Sequence, residues 1–560
     1  MKDKFVILIL FFALFLSVWN IFSVDLISDD ALYSFRALGW FDYLAADEQT
    51  GPVQWFGSIP AWANLSFHDA PPLVFAMQKL SFSLFGDNSV AARLPFVLSF
   101  IATVYVVFLI GREMYSKMAG YIGSGVMSIA SISILAANGG YLEGIEILFI
   151  SLSVFFWVRY LKSAESKYIL LFGVVMGFAI LCKYTAGFLI ISFFLHLILF
   201  RRSEFKKKNV YLAMLLLLIV ITPVIVYNIS VFSSRGHFDA PLTSLFGQET
   251  DDFLSLRDRG AGSNYFSSIW SMAKNLYHSI SLPLLFLFIA SIIYQLYYFI
   301  KKKHGREMRF VLLGSFYLAF LILGLGGTEV RFLIILIPFI VISISFFLCS
   351  LYNRVNLNVK KILIVLIVLV FGFELFYSIN SNFLVKPVSR NHIVYSNEGV
   401  GNKKLGFIRL EKYLKSEIFT GHLELERPKI IDDIDTRTIE TIKKDGIVYF
   451  FDDSISWFAH NWYFRKYSNY YGVPLAPFFE QTKNFKTDNI IKFFVDIGIN
   501  DFYYIAGIDE SVLDPRKASG ETRVSNIKFE KMLDESGYEF EEIKNYQGQV
   551  AFKVYKFSVE

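Results

Sequence analysis

The fold is decided between residues 187 and 226, GFLIISFFLHLILFRRSEFKKKNVYLAMLLLLIVITPVIV. Two apolar runs, near 184 to 200 and 209 to 231, flank a loop that holds Arg201, Arg202, Lys206, Lys207 and Lys208. As helices, such runs approach the length that crosses a hydrocarbon core of roughly 30 Å. Cations clustered between two such runs mark a cytoplasmic turn. The same alternation continues in both directions. Apolar segments lie near 5 to 24, 89 to 111, 118 to 137, 143 to 161 and 167 to 182, and again near 276 to 300, 309 to 325, 330 to 350 and 360 to 380.

If the N-terminus is cytoplasmic, every inside loop carries the cation excess. Arg112 and Lys117 stand in the first, Arg159, Lys162 and Lys167 in the second, Lys301 to Arg309 in the fourth, and Arg354, Lys360 and Lys361 in the fifth. The short outside turns hold only Lys183 and Arg331. One missed helix would invert every later loop, so the agreement bears on count and orientation together. The sequence predicts a polytopic α-helical membrane protein of about eleven transmembrane helices, in the plasma or inner membrane, with a cytoplasmic N-terminus. The first run follows Lys2 and Lys4, as a signal peptide would, but no small-residue cleavage pattern closes it, and it is read as helix 1. The runs 167 to 182 and 184 to 200 are short enough to form a re-entrant hairpin instead of two crossings.

Residues 1 to 380 are therefore expected to form a transmembrane domain, including an external loop from 25 to 88 with interfacial helices. Residues 381 to 560 are expected to form a soluble extracytoplasmic α/β domain. Its strands are placed at Val448–Phe451, Phe502–Ile505 and Val550–Val554, with a helix-like stretch from Phe529 to Glu542. Hydrophobic residues make up 54% of the 560, more than a soluble core requires, and the surplus must meet lipid. The net charge of +5 comes from cations at segment ends, which excludes a nucleic-acid partner. Cys182 and Cys349 sit inside apolar runs and read as packing residues, not as a disulfide or metal site. No Gly-rich phosphate loop and no nucleophile elbow is present.

The polar residues that carry chemistry gather at the outer ends of the helices. Ser28-Asp29-Asp30 follows helix 1 directly. Adjacent carboxylates raise one another's pKa, which suits a base taking a proton from a hydroxyl. Equally, Ser28 or Asp29 would cap a helix starting at Ala31, and the two roles are compatible. His68-Asp69-Ala70-Pro71-Pro72 forms a rigid corner before the short apolar segment Val74 to Phe85. His68 and Asp69 are also the weak candidates for a divalent metal, since adjacent ligands without a spaced second His are common by chance. Glu143 and Glu146 open the helix near 143 to 161, where carboxylates are costly unless they serve a cavity. Lys183 and Arg331 break the positive-inside pattern. An external anion such as a lipid phosphate would account for them, while snorkelling would account for Lys183 alone.

Taken in order, these residues resemble the type C glycosyltransferase superfamily, the dolichyl-phosphate-mannose protein mannosyltransferases and lipid A aminoarabinose transferases. The likeness runs from about residue 5 to 350. Asp29-Asp30 matches that family's Asp-Glu pair, and His68-Asp69-x-Pro-Pro its His-acid-x-Pro-Pro motif. Leu84-Phe85-Gly86 with Ala92-Arg93-Leu94-Pro95, Glu143 ahead of Arg159, the Leu181-Cys182-Lys183 turn, and Arg331 before Ile337-Pro338 complete the series. The resemblance implies a polyprenyl-phosphate sugar donor, an acceptor hydroxyl on a lipid, glycan or protein, and inversion at the sugar. It further implies that Asp29 is the base, with Asp30 beside it, and that His68, Asp69 and Glu143 line the cavity. The aminoarabinose transferases place basic residues where Leu32 and Ala70 stand here, which leaves Arg93, Lys183 and Arg331 as the phosphate candidates. A lipid or glycan transporter is the alternative, though it would carry internal repeats and mid-membrane acids. A receptor is a third reading that leaves the acid pairs without a role.

Overall fold

The computed structural model describes residues 4–38, 70–246, 248, 265–301, 305–419, 446–484, 490–517 and 519–559. The chain falls into two compact units. One comprises Met1–Phe22 and Arg36–Gly401, the other Ser23–Phe35 and Asn402–Glu560.

The first unit is a multi-pass bundle of apolar helices. Six of those described are long and apolar enough to cross a membrane: Ser89–Met114, Glu143–Ser163, Leu282–Lys301, Arg306–Gly324, Val330–Tyr352 and Leu357–Asn382. Two bent pairs, Lys117–Ile129 with Ser131–Asn138 and Lys208–Val220 with Thr222–Ser233, raise the number to eight if each is one span. Four further apolar helices are shorter: Lys4–Val18, Leu73–Phe85, Ser166–Cys182 and Tyr184–Phe200. Val330–Tyr352 lies at the centre, with 83% of its apolar window buried, and Leu357–Asn382 lies at the rim with 17%. Close approach between helices uses small residues: a Cβ on Gly173 would fall 2.2 Å from the Ala213 carbonyl oxygen, so any side chain there would push the two helices apart.

The two bends have different causes. At the second, Pro223 follows the break at Ile221, and its ring removes a backbone donor. At the first, Ala130 is extended (φ −61°, ψ 133°), which leaves the Ser131 amide without a helical acceptor. Glu374, fully buried on Leu357–Asn382, supplies one. Its Oε1 accepts from the Ser131 amide at 3.0 Å, and its Oε2 accepts from the Ser281 amide at 2.8 Å, at the start of Leu282–Lys301. One carboxylate thus caps two helix N-termini, where the backbone dipoles favour negative charge. Asn382 adds a bond to the Ser131 hydroxyl at 2.9 Å.

The second unit is built on a five-stranded sheet. Its strands are β1 (Ile447–Phe451), β2 (Leu475–Pro477), β3 (Asp501–Gly507), β4 (Phe540–Lys544) and β5 (Val550–Ser558), in the order β2-β1-β3-β5-β4. The first three run parallel, and β5 pairs antiparallel with both β3 and β4. Phe450, Phe478, Phe502, Phe529, Tyr504 and Phe557 form the aromatic centre of its core. The three strands expected from sequence lie within β1, β3 and β5. The helix expected over 529 to 542 is instead Glu521–Glu535 followed by β4. Gly537 takes φ +73°, a left-handed conformation that ends the helix, and the ladder to β5 then captures 540–544.

Ser23–Phe35 joins this unit through Asp25. Its carboxylate accepts from the amides of Leu405, Gly406 and Ile408 at 2.6, 2.9 and 2.9 Å, and its own amide donates to the Lys403 carbonyl at 2.6 Å.

Replacing Glu374 by alanine is expected to strand two buried amides and to cost about 3 kcal/mol. Glutamine, which keeps acceptor oxygen for one of them, should restore part of the loss. Thermal denaturation of the purified protein in detergent measures both, and an unchanged midpoint in the alanine variant would remove Glu374 from the account of the bends.

Candidate functional site

Each unit holds part of the set picked out from sequence. In the second, the helix after the first apolar segment is Asp29–Leu38, which begins two residues earlier than the expected Ala31. The reason is Asp30. Its Oδ1 turns back to accept from the amides of Ile27, Ser28 and Ala31 at 3.2, 2.8 and 3.0 Å and from the Ser28 hydroxyl at 3.0 Å. Its Oδ2 meets Lys403 Nζ at 3.1 Å, and Lys403 also donates to the Ser28 hydroxyl at 2.7 Å. Asp30 is fully buried, so it is the residue that shapes the turn. Asp29, beside it, is partly exposed, and the turn fixes where it stands.

In the first unit, the helix starting at Glu143 meets the turn that follows Ser166–Cys182. That turn is held through three consecutive residues, each donating to a carboxylate. Lys183 pairs with Glu143, Tyr184 donates to Asp239, and Thr185 donates to Glu146 at 2.7 Å. Glu143 and Glu146, one helical turn apart, thus each meet one residue of the turn. Arg331 is the second residue of the short 3₁₀ segment Val330–Leu336 and pairs with Glu329 at 2.7 Å. Lys183 and Arg331 both lie over the ring of Phe332, at 4.5 and 4.9 Å from its centroid, and Arg331 is 6.0 Å from that of Tyr141. The structure therefore brings Glu143, Lys183 and Arg331 together.

Arg93 has a different setting. It is fully buried, and its guanidinium donates to the carbonyls of Asn138 at 3.0 Å and Ser89 at 3.4 Å, tying the end of Ser131–Asn138 to Ser89–Met114. His68 and Asp69 lie outside the described residues. Among the described residues no group of three or more His, Cys, Asp or Glu gathers as a metal site, and both Asp30 oxygens are engaged by amides and Lys403.

The sequence reading passes over Lys403, Thr185, Phe332 and Glu374. Only Glu374 had a local signal, a lone acid inside a long apolar run. Lys403 stands 373 residues from its partner Asp30, and no pattern in the chain links them.

Residues 69–227 match the family model of the dolichyl-phosphate-mannose-protein mannosyltransferases. "Putative mannosyltransferase YkcB" of Bacillus subtilis (strain 168) is 23% identical over 270 residues, 46% of this chain and 36% of that protein; the matched part is thus about a third of the relative's length. The crystal structure of ArnT from Cupriavidus metallidurans bound to undecaprenyl phosphate matches over 99% of this chain and 98% of that one, with a TM-score of 0.55 at 11% identity. The chain has the type C glycosyltransferase fold. The oligosaccharyltransferase of Archaeoglobus fulgidus in complex with Zn and sulfate has the same fold, with a TM-score of 0.52 at 12% identity over 98% of this chain and 72% of that one. Within this type C glycosyltransferase fold, the family-matched stretch holds Arg93, Glu143 and Lys183, while Asp29, Asp30 and Arg331 fall outside it.

The adjacent lysines 403 and 404 should respond oppositely to removal. Lys403→Met leaves the buried Asp30 carboxylate without its cation and is expected to cost about 3 kcal/mol. Lys404 is buried, and desolvation lowers its pKa from 10.5 to about 8. Between those values the unfolded chain binds more protons than the folded one, so stability rises with pH, and below about 8 the burial penalty is fully felt. Lys404→Met should therefore raise the melting temperature at pH 7, with a gain that shrinks above pH 8. Melting curves of the full chain across this range test both, and a loss of stability in both variants would contradict the assignment.

Proposed function

We propose that this chain is an integral-membrane glycosyltransferase that moves a hexosyl or pentosyl unit from a polyprenyl-phosphate donor to an acceptor hydroxyl of a lipid, glycan or protein. The observation that carries the reading is the match, along nearly the whole of both chains, to ArnT bound to undecaprenyl phosphate. The family match over 69–227 supports it, as does the approach of two cations, Lys183 and Arg331, to one ring, a grouping that suits a lipid phosphate.

In this reading Asp29 takes the proton of the acceptor hydroxyl as its oxygen attacks the anomeric carbon. The bond from that carbon to the phosphate oxygen breaks, its electron pair leaves with the polyprenyl phosphate, and the sugar is inverted. Lys183 and Arg331 stabilise the charge that develops on the departing phosphate, so no strong general acid is required. Asp30, Ser28 and Lys403 position the turn that carries Asp29, and Glu143 positions Lys183. Arg93 acts as a brace between helices. The cation-rich loops support a cytoplasmic N-terminus, with the tail from 381 to 560 outside the plasma or inner membrane. The transporter reading gains no support from the comparisons.

Transfer of radiolabelled sugar from a panel of polyprenyl-phosphate donors to extracted membrane acceptors tests the proposal. Asp29→Asn at matched membrane levels should lose at least about a hundredfold in rate, whereas Lys183→Met and Arg331→Met should weaken donor use as well as rate. Equal labelling by wild type and Asp29→Asn would remove Asp29 from the chemistry, and no labelling by wild type with any donor would overturn the transferase reading.

A further inference from the structure

We propose that Phe332 is a positioning residue that gathers Lys183 and Arg331 into a single doubly charged phosphate site; the inference rests on the phosphate role given to those two cations above. The cations come from separate elements, the turn after Ser166–Cys182 and the start of Val330–Leu336. Two like charges brought close together repel. Glu143 and Glu329 each compensate one cation but do nothing to draw the pair together. The Phe332 ring does: Lys183 Nζ is 4.5 Å and the Arg331 guanidinium 4.9 Å from its centroid, within the range where the negative face of an aromatic ring attracts a cation.

The alternative is that Phe332 merely packs, and that Arg331 is near it because the two are neighbours in the chain. Two observations favour a built arrangement. Chain adjacency does not account for Lys183. Nor is Phe332 placed as a packing residue, since Leu333, Ile334, Ile335 and Leu336 are fully buried while Phe332 is partly exposed, as are both cations. Gly327 takes φ +138°, and a Cβ there would lie 2.8 Å from Phe332 Cε2, so the absence of a side chain at 327 leaves room for the ring.

Two cations suit the leaving group better than the donor. A sugar-phosphate-polyprenyl diester carries one negative charge, and the departing phosphate monoester carries close to two at neutral pH. A paired site therefore favours the charge that grows as the sugar leaves, and its loss should be felt most in the binding of the free polyprenyl phosphate.

The test is direct binding of radiolabelled undecaprenyl phosphate to the full-length protein in lipid nanodiscs, with undecaprenol, which lacks the phosphate, as the reference lipid. Phe332→Leu and Phe332→Met, which keep apolar volume without an aromatic face, should weaken undecaprenyl phosphate binding about tenfold and leave undecaprenol binding unchanged. Phe332→Tyr and Phe332→Trp should stay within about twofold of wild type. If the leucine variant fails to fold, the methionine and tyrosine variants carry the comparison. Equal binding by all variants would overturn the proposal, as would an equal loss in the tyrosine and methionine variants, which would mark Phe332 as packing alone. A wild type that binds undecaprenyl phosphate no better than undecaprenol would overturn the phosphate role itself and this inference with it.

Discussion

A charge inside an apolar bundle is tolerated only where something compensates it, and the arrangement of the first unit follows from that constraint. Glu374 is held by two helix-start amides, and in being held it fixes the bend at Ala130 and the start of Leu282–Lys301. Glu143, Glu146 and Asp239 are matched one by one to Lys183, Thr185 and Tyr184. Compensation therefore does two things at once. It makes the charges bearable, and it locks an otherwise loose turn into a geometry that presents Lys183 beside Arg331.

The second unit solves the same problem with backbone dipoles. Asp25 faces the amides around the start of Phe407–Tyr413, and Asp30 collects the amides of its own turn together with Lys403. The result is a rigid entry to Asp29–Leu38. Asp30, the more buried of the adjacent acids, organises the turn, and Asp29 is left as the acid with exposure. This division of labour between neighbours of one type is a property of the fold around them, since their side chains are chemically identical.

Much of this was legible in the chain. Hydrophobic length marked the long apolar helices from Ser89–Met114 to Leu357–Asn382, and the apolar and aromatic runs at 448–451, 502–505 and 550–554 fall within β1, β3 and β5. Glu143, Lys183 and Arg331 stood out because each violates an expectation for its depth or side. What stayed hidden was long-range or turned on a single backbone angle. Gly537 converts an apparent helix into a helix and a strand, and Glu374 reaches helix starts 243 and 93 residues away. Arg93 satisfied a motif, yet only the fold reveals that two carbonyls take up its guanidinium. Periodicity reports which residues share a face, and it is silent on partners drawn from distant segments.

The central claim is a single displacement in which an acceptor hydroxyl attacks the anomeric carbon as polyprenyl phosphate leaves. The most direct measurement is the anomeric configuration of the product by proton NMR, set against that of the first donor the protein turns over. The account predicts complete inversion. A product of retained configuration would contradict it, because retention requires a covalent or ion-paired intermediate that one base and a phosphate leaving group do not provide.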